Sequence, residues 1–180
     1  MDEFGRRDLM RGVLLLAGVA ATSGMAAGSV FAGPASLPVP TLSLLTAVAD
    51  TIIPPTDTPG AAGAGVPQKL DKLLANWASP LRRGQILGAL KEIDERSVAA
   101  TGTKFVALTP ARRFEVLSVI DKAMVTDPGY ASLRQLVATC YYLSEIGATQ
   151  ELRYEHAPGA WEPSLRVTAE TRNYGGPDHI

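Results

Sequence analysis

The side chains able to do acid–base, nucleophilic or metal chemistry are few and scattered. The 180-residue chain holds two histidines, His156 and His179, and one cysteine, Cys140. His156 follows Glu155, which suggests an acid–base couple, but adjacent residues of an extended segment point to opposite sides. An exposed or interface histidine is the expectation. His179 stands next to the C-terminus. Ser144-Glu145 has no neighbouring histidine to make the serine a nucleophile. Asp50, Asp57 and Asp71 lack the alternating oxygen ligands of a calcium loop. A single cysteine excludes an internal disulfide, a Cys-based zinc site, an iron–sulfur cluster and a C-x-x-C-H haem attachment. Gly60-Ala61-Ala62-Gly63-Ala64-Gly65 looks like a phosphate loop. That chemistry needs a preceding strand and a Lys-Ser/Thr pair or a later acid in a βαβ unit. Here a helical pattern and Pro54, Pro55 and Pro59 come first, so a flexible surface loop is expected. No catalytic residue and no metal site are expected.

The elements that would carry these residues are helical. Apolar spacing follows the helical period and no long alternating run appears. Thr41 is placed to cap a first helix in which Leu44, Leu45, Val48 and Ile52 share one side; Pro54-Pro55 stops it. After a loop from Thr56 to Gly65, the residues Val66, Leu70, Leu73, Leu74 and Trp77 form an amphipathic stripe. Ser79-Pro80, Thr109-Pro110 and Asp127-Pro128 each pair a capping side chain with proline at the first helical position. The helices they open turn inward Ile86, Leu87, Leu90 and Ile93; then Phe114, Leu117, Ile120 and Met124; then Leu133, Leu136, Cys140 and Leu143. Thr101-Gly102 ends the first of these and Gly147 is the expected stop of the last. The fold class expected is all-α, a small domain of about five helices with an extended, irregular C-terminal arm.

Composition fits one domain: 46% apolar and 19% charged residues. Lys+Arg 17 against Asp+Glu 18 gives a net charge of −1, which argues against nucleic acid as a partner. Residues 1–32 read as an export signal. Charged residues stop at Arg11; Gly12 to Phe31 carries none, and Val30-Phe31-Ala32 suits a signal peptidase. Gly18, Thr22, Ser23, Gly24, Gly28 and Ser29 keep the run less hydrophobic than an ordinary span of ~20 apolar residues. Cleavage is favoured, and retention as an anchor stays open. Arg6, Arg7, Leu9, Met10 and Arg11 resemble the twin-arginine export motif, an address read by a receptor for folded cargo. A general secretory signal containing Arg-Arg is the other reading.

The helical domain is expected over residues 33–147, and residues 148–180 form a tail in which no period survives. Its sizeable apolar groups are Leu152, Tyr154, Trp161, Leu165, Val167 and Tyr174, among Pro158-Gly159, Pro163 and Gly175-Gly176-Pro177. Ordering a backbone costs about 1–2 kcal/mol per residue, more than these anchors return by themselves. The tail is therefore disordered or laid along something larger. Aromatic anchors in a Pro/Gly-rich arm favour a partner-wrapping role. Cys140, on an apolar helical face, has two readings: a buried small hydrophobe, or an intersubunit disulfide in an exported protein.

Tyr141-Tyr142-Leu143-Ser144-Glu145-Ile146-Gly147-Ala148-Thr149, then Glu151-Leu152-Arg153-Tyr154 and Pro158-Gly159, resembles the signature of the gluconate 2-dehydrogenase subunit 3 family. Ile52-Ile53-Pro54-Pro55-Thr56-Asp57-Thr58-Pro59-Gly60-Ala61 resembles the family's other marker. Gly63 to Gly65 extends the loop, and Gly175 to Ile180 matches nothing in the pattern. The resemblance implies a non-catalytic small subunit of a periplasmic, membrane-associated dehydrogenase complex. In such complexes FAD sits in a large flavoprotein of the glucose-methanol-choline type and haem c in a third, cytochrome c subunit. The small subunit binds neither cofactor; it stabilises the flavoprotein and carries it out folded through the twin-arginine translocase. Carried over by position, the partner interface is expected at Ile53, Pro54, Pro55, Asp57, Tyr141, Tyr142, Ser144, Glu145, Gly147, Leu152, Arg153, Tyr154, Pro158, Gly159 and Trp161, as contact surface and scaffold.

Relatives accompany flavoproteins acting on gluconate or on glycosides at the sugar 3-position, so the small subunit of a glycoside 3-dehydrogenase is an alternative. An independent periplasmic helical module that binds a small ligand is another, from a different class.

Overall fold

The computed structural model of the chain describes residues 36–154, 164, 166–169 and 171–175. The chain divides into two units, Met1–Gly33 and Pro34–Ile180. The first lies outside the described residues, and with it Arg6, Arg7, Leu9, Met10 and Arg11.

The second unit is all-α. Its helices are α1 (Val39–Ile52), α2 (Val66–Asn76), α3 (Pro80–Thr101), α4 (Pro110–Met124) and α5 (Pro128–Tyr142). A 3-10 turn, Phe105–Ala107, precedes α4, and a π-helical turn, Gly147–Glu151, follows α5. Three starts follow from the X-Pro pairs. Ser79 Oγ accepts from Arg82 N at 3.2 Å, Thr109 Oγ1 from Arg112 N at 3.4 Å and Asp127 Oδ1 from Tyr130 N at 2.7 Å. Each satisfies a backbone donor that the first turn leaves over, and proline lacks the one it would waste. α3 stops at Gly102, whose φ of 72° is costly for any residue with a β-carbon. No helix among the described residues is long and apolar enough to cross a membrane.

The core joins all five helices around Leu45, Val48, Leu70, Leu74, Ile86, Leu90, Ile93, Leu117, Leu133 and Tyr141. α3 and α5 make the most extensive pairing. Gly129 permits it: a β-carbon there would stand 2.2 Å from the carbonyl oxygen of Gln85.

Several details depart from the periodic reading. α1 begins before Thr41, with Pro40 in its first turn and Leu42 N donating to Pro38 O at 2.9 Å; no side chain caps it. Trp77 is 77% exposed, because α2 ends at Asn76 and the chain turns out of helical geometry at Trp77 itself. Phe114 is 63% exposed. The inward face of α4 is Val116, Leu117, Ile120 and Met124, and Phe105 from the 3-10 turn fills the adjoining core. Arg113 holds that turn by donating to the carbonyl oxygens of Phe105 and Val106. Leu143, expected inward, is 52% exposed where α5 has already ended at Tyr142. Gly147 is therefore not the end of α5 but the start of the π-helical turn.

Among its described residues the irregular C-terminal arm carries two short extended pieces. Arg153–Tyr154 (β1) and Tyr174–Gly175 (β2) form a parallel pair in the register Arg153↔Tyr174 and Tyr154↔Gly175.

Candidate functional site

The turn between α1 and α2 is a packed structure, not the flexible surface loop expected from its glycines. Ile53 leaves helical dihedrals because it precedes Pro54. Ala61 N donates back to Ile53 O at 2.9 Å, and Val66 N to Ala61 O at 3.0 Å. Asp50 Oδ1 accepts from Ala62 N at 3.3 Å. Thr58, Gly60, Ala61 and Ala64 are buried. Gly60 fits because a β-carbon would lie 2.6 Å from Pro55 N and 2.7 Å from Ile53 O.

The segment after α5 closes onto this turn. Tyr141 donates from its phenol to the carbonyl oxygen of Pro59 at 2.9 Å. Ser144 clips the chain behind it: Ser144 Oγ donates to Tyr141 O at 2.6 Å and accepts from Gly147 N at 3.0 Å. Gly147 passes so near Tyr141 that a β-carbon would stand 2.1 Å from its carbonyl oxygen. The π-helical turn then delivers Glu151, whose Oε2 accepts from buried Thr58 Oγ1 at 2.6 Å. Arg172 adds a third strand of chain. Its Nη2 pairs with Asp57, and its Nη1 lies 3.8 Å from Glu151 Oε2. Asp57 also accepts from Thr56 Oγ1 at 3.0 Å. The Arg172 hydrogen bond, helped by Thr56 and by Asp57's own backbone, holds the Asp57 carboxyl below the usual range.

Residues 52–61 and 141–154, far apart in sequence, thus form one seam. Around it Pro54, Pro55, Asp57, Tyr142, Leu143, Glu145, Arg153 and Tyr154 are exposed, and Ile53 and Leu152 half-buried. Tyr142 stacks edge-on against Tyr141, with ring centroids 5.4 Å apart. Tyr141, Ser144 and Gly147, named with the expected interface, are buried inside this chain. They shape the seam from within and offer no surface to a partner. Pro158, Gly159 and Trp161 lie outside the described residues, as do His156 and His179. Thr58, Glu151 and Arg172 are the seam residues that the sequence reading did not single out for the site. No sequence signal links a threonine to a glutamate in so distant a turn.

The other chemical candidates have structural duties. Cys140 is 6% exposed, and burial pushes its thiol pKa up against a small opposing effect of Lys69. A disulfide to another chain needs an accessible thiolate, and within this chain the thiol is covered. Asp71 Oδ1 accepts from Leu37 N at 2.7 Å. An open groove of about 620 Å³ between α3 and the α4–α5 turn carries Glu92, Arg96 and Asp127. Arg96 already donates to Glu92 at 2.7 Å, and Asp127 caps α5. Among the described residues no group of three His, Cys, Asp or Glu side chains is placed to hold a metal.

Fold and site together define a small, mainly helical protein whose two irregular turns are tied into one surface. Residues 40–159 match the family described as gluconate 2-dehydrogenase subunit 3, a stretch that contains nearly all of α1 and both turns of the seam. The chain belongs to that family, and with it to the subunits of multi-subunit dehydrogenase complexes. No curated protein and no solved structure matches the chain.

Proposed function

We propose that the chain is the non-catalytic small subunit of an FAD-dependent dehydrogenase complex that oxidises a sugar or sugar acid. It stabilises a glucose-methanol-choline-type flavoprotein, which carries the FAD, while a cytochrome c subunit carries haem c. The family match over residues 40–159 carries this reading. The seam supports it, since buried polar and glycine residues hold a turn pair whose outer face mixes Tyr, Pro and Leu with the charges of Asp57, Glu145 and Arg153. Such a mix of Tyr and Pro suits a protein contact. The residues proposed to meet the flavoprotein are the exposed or half-buried ones: Ile53, Pro54, Pro55, Asp57, Tyr142, Glu145, Leu152, Arg153 and Tyr154, with Pro158, Gly159 and Trp161. A glycoside 3-dehydrogenase complex is the alternative assignment within the same role.

In the same reading residues 1–32 are a twin-arginine signal, and the subunit takes its flavoprotein folded to the periplasm, where the complex sits at the membrane. Two experiments test the parts separately. Co-expression of Tyr154→Asp with the flavoprotein should abolish co-purification while the helical spectrum of the subunit is unchanged; wild-type recovery of the pair overturns the interface. Replacing Arg6 and Arg7 by lysine should strand both subunits in the cytoplasm. A partner exported normally by that variant overturns joint transport.

A further inference from the structure

The described end of the C-terminal segment returns to where the segment starts. Arg153 N donates to Asn173 O at 2.8 Å, next to the β1–β2 pair. One residue earlier, Arg172 reaches two acids on two different elements, Asp57 of the α1–α2 turn and Glu151 of the π-helical turn. Thr168 and Thr171 form a local turn just before it, with Thr171 N donating to Thr168 O at 3.1 Å and Thr168 N to Thr171 Oγ1 at 2.8 Å. Residues 171–175 are thereby held against Arg153–Tyr154 and against the seam.

We propose that Arg172 is the pin of a clasp that fastens residues 171–175 to the seam, and that the dehydrogenase partner docks on the pinned form. The second half rests on the subunit reading above. Each part of the clasp is weak alone. Exposed ion pairs contribute little, and a two-residue strand pair is marginal in water. A single guanidinium shared by two carboxylates, one of them already fixed by Thr58, is a network whose parts hold one another in place. Fixing residues 171–175 before docking removes part of the ordering cost otherwise met at the partner surface. The clasp is a reversible device that sets affinity, and high salt opens it.

The test uses the full chain, alone and with its flavoprotein. In the isolated chain, Arg172→Glu should raise amide exchange at Arg153 by about tenfold or more while the thermal unfolding of the helices stays in place. The same variant should bind the flavoprotein about tenfold more weakly. Arg172→Lys, which keeps the charge but not the two-pronged fork, should lose less of both protection and affinity. Unchanged Arg153 exchange in Arg172→Glu overturns the clasp. Raised exchange with unchanged affinity overturns docking on the pinned form, and leaves the subunit reading intact. A wild-type chain that fails to bind the flavoprotein overturns that reading instead, and the exchange result still decides the clasp.

Discussion

Gly147 has no room for a β-carbon, and the obstacle is the backbone of Tyr141, which cannot swing aside as a side chain would. Gly147→Ala should lower stability by at least about 2 kcal/mol in a denaturant titration. It should also release the Tyr141–Pro59 hydrogen bond, because the clip between residues 141 and 147 must widen. The glycine was legible as a helix-stop signal, but its true reason is steric and depends on a carbonyl six residues back. Cys140 was legible as an apolar-face residue and is one. Its thiol should resist a disulfide reagent in the native chain and react only on unfolding, a rate measured by thiol titration with and without denaturant. Asp57 gives a pH dependence of known sign. Its folded pKa lies below the ordinary aspartate value. The stabilisation is therefore complete above the unfolded pKa, about 4, and fades as pH falls below it toward the lowered folded value. Arg172 and Thr56 are the groups facing it, and Glu151 shares the same Arg172. Protection of the Arg153 amide, followed by exchange from neutral to acid pH, should fall in that window.

At the scale of elements, the helices were legible wherever local chemistry decides their limits. Ser79, Thr109 and Asp127 announce α3, α4 and α5 because a short side-chain acceptor followed by proline suits the first turn and little else. Replacing any of them by alanine should cost about 1 kcal/mol, read as a shift in thermal midpoint. Asp127, with the shortest hydrogen bond, should cost most. Limits that packing decides were not legible. Trp77 and Leu143 continue the apolar spacing of α2 and α5, yet both helices end one residue earlier and the side chains turn outward. Phe114 fits a stripe on paper but gives way to Phe105, a residue in a turn with no periodic signal. The π-helical turn and the strand pair follow the same rule. Each is held by contacts from outside its own segment, through Thr58 for one and residues 173–175 for the other.

For the whole molecule, the fold class and the membership of both seam turns in one family pattern were readable in the chain. Their meeting was not. Tyr141 to Pro59, Thr58 to Glu151 and Asp57 to Arg172 are side-chain contacts across most of the domain, and local propensity says nothing about them. The order of synthesis follows from those separations. The α1–α2 turn leaves the ribosome well before the groups that complete it, which lie 82 to 115 residues further along the chain. A nascent chain must wait for its last turn of helix before the buried Thr58 hydroxyl finds Glu151, and longer still for Arg172. A chain broken off before Glu151 would carry helices without the finished face, a defective copy distinguishable from an intact one by that corner alone.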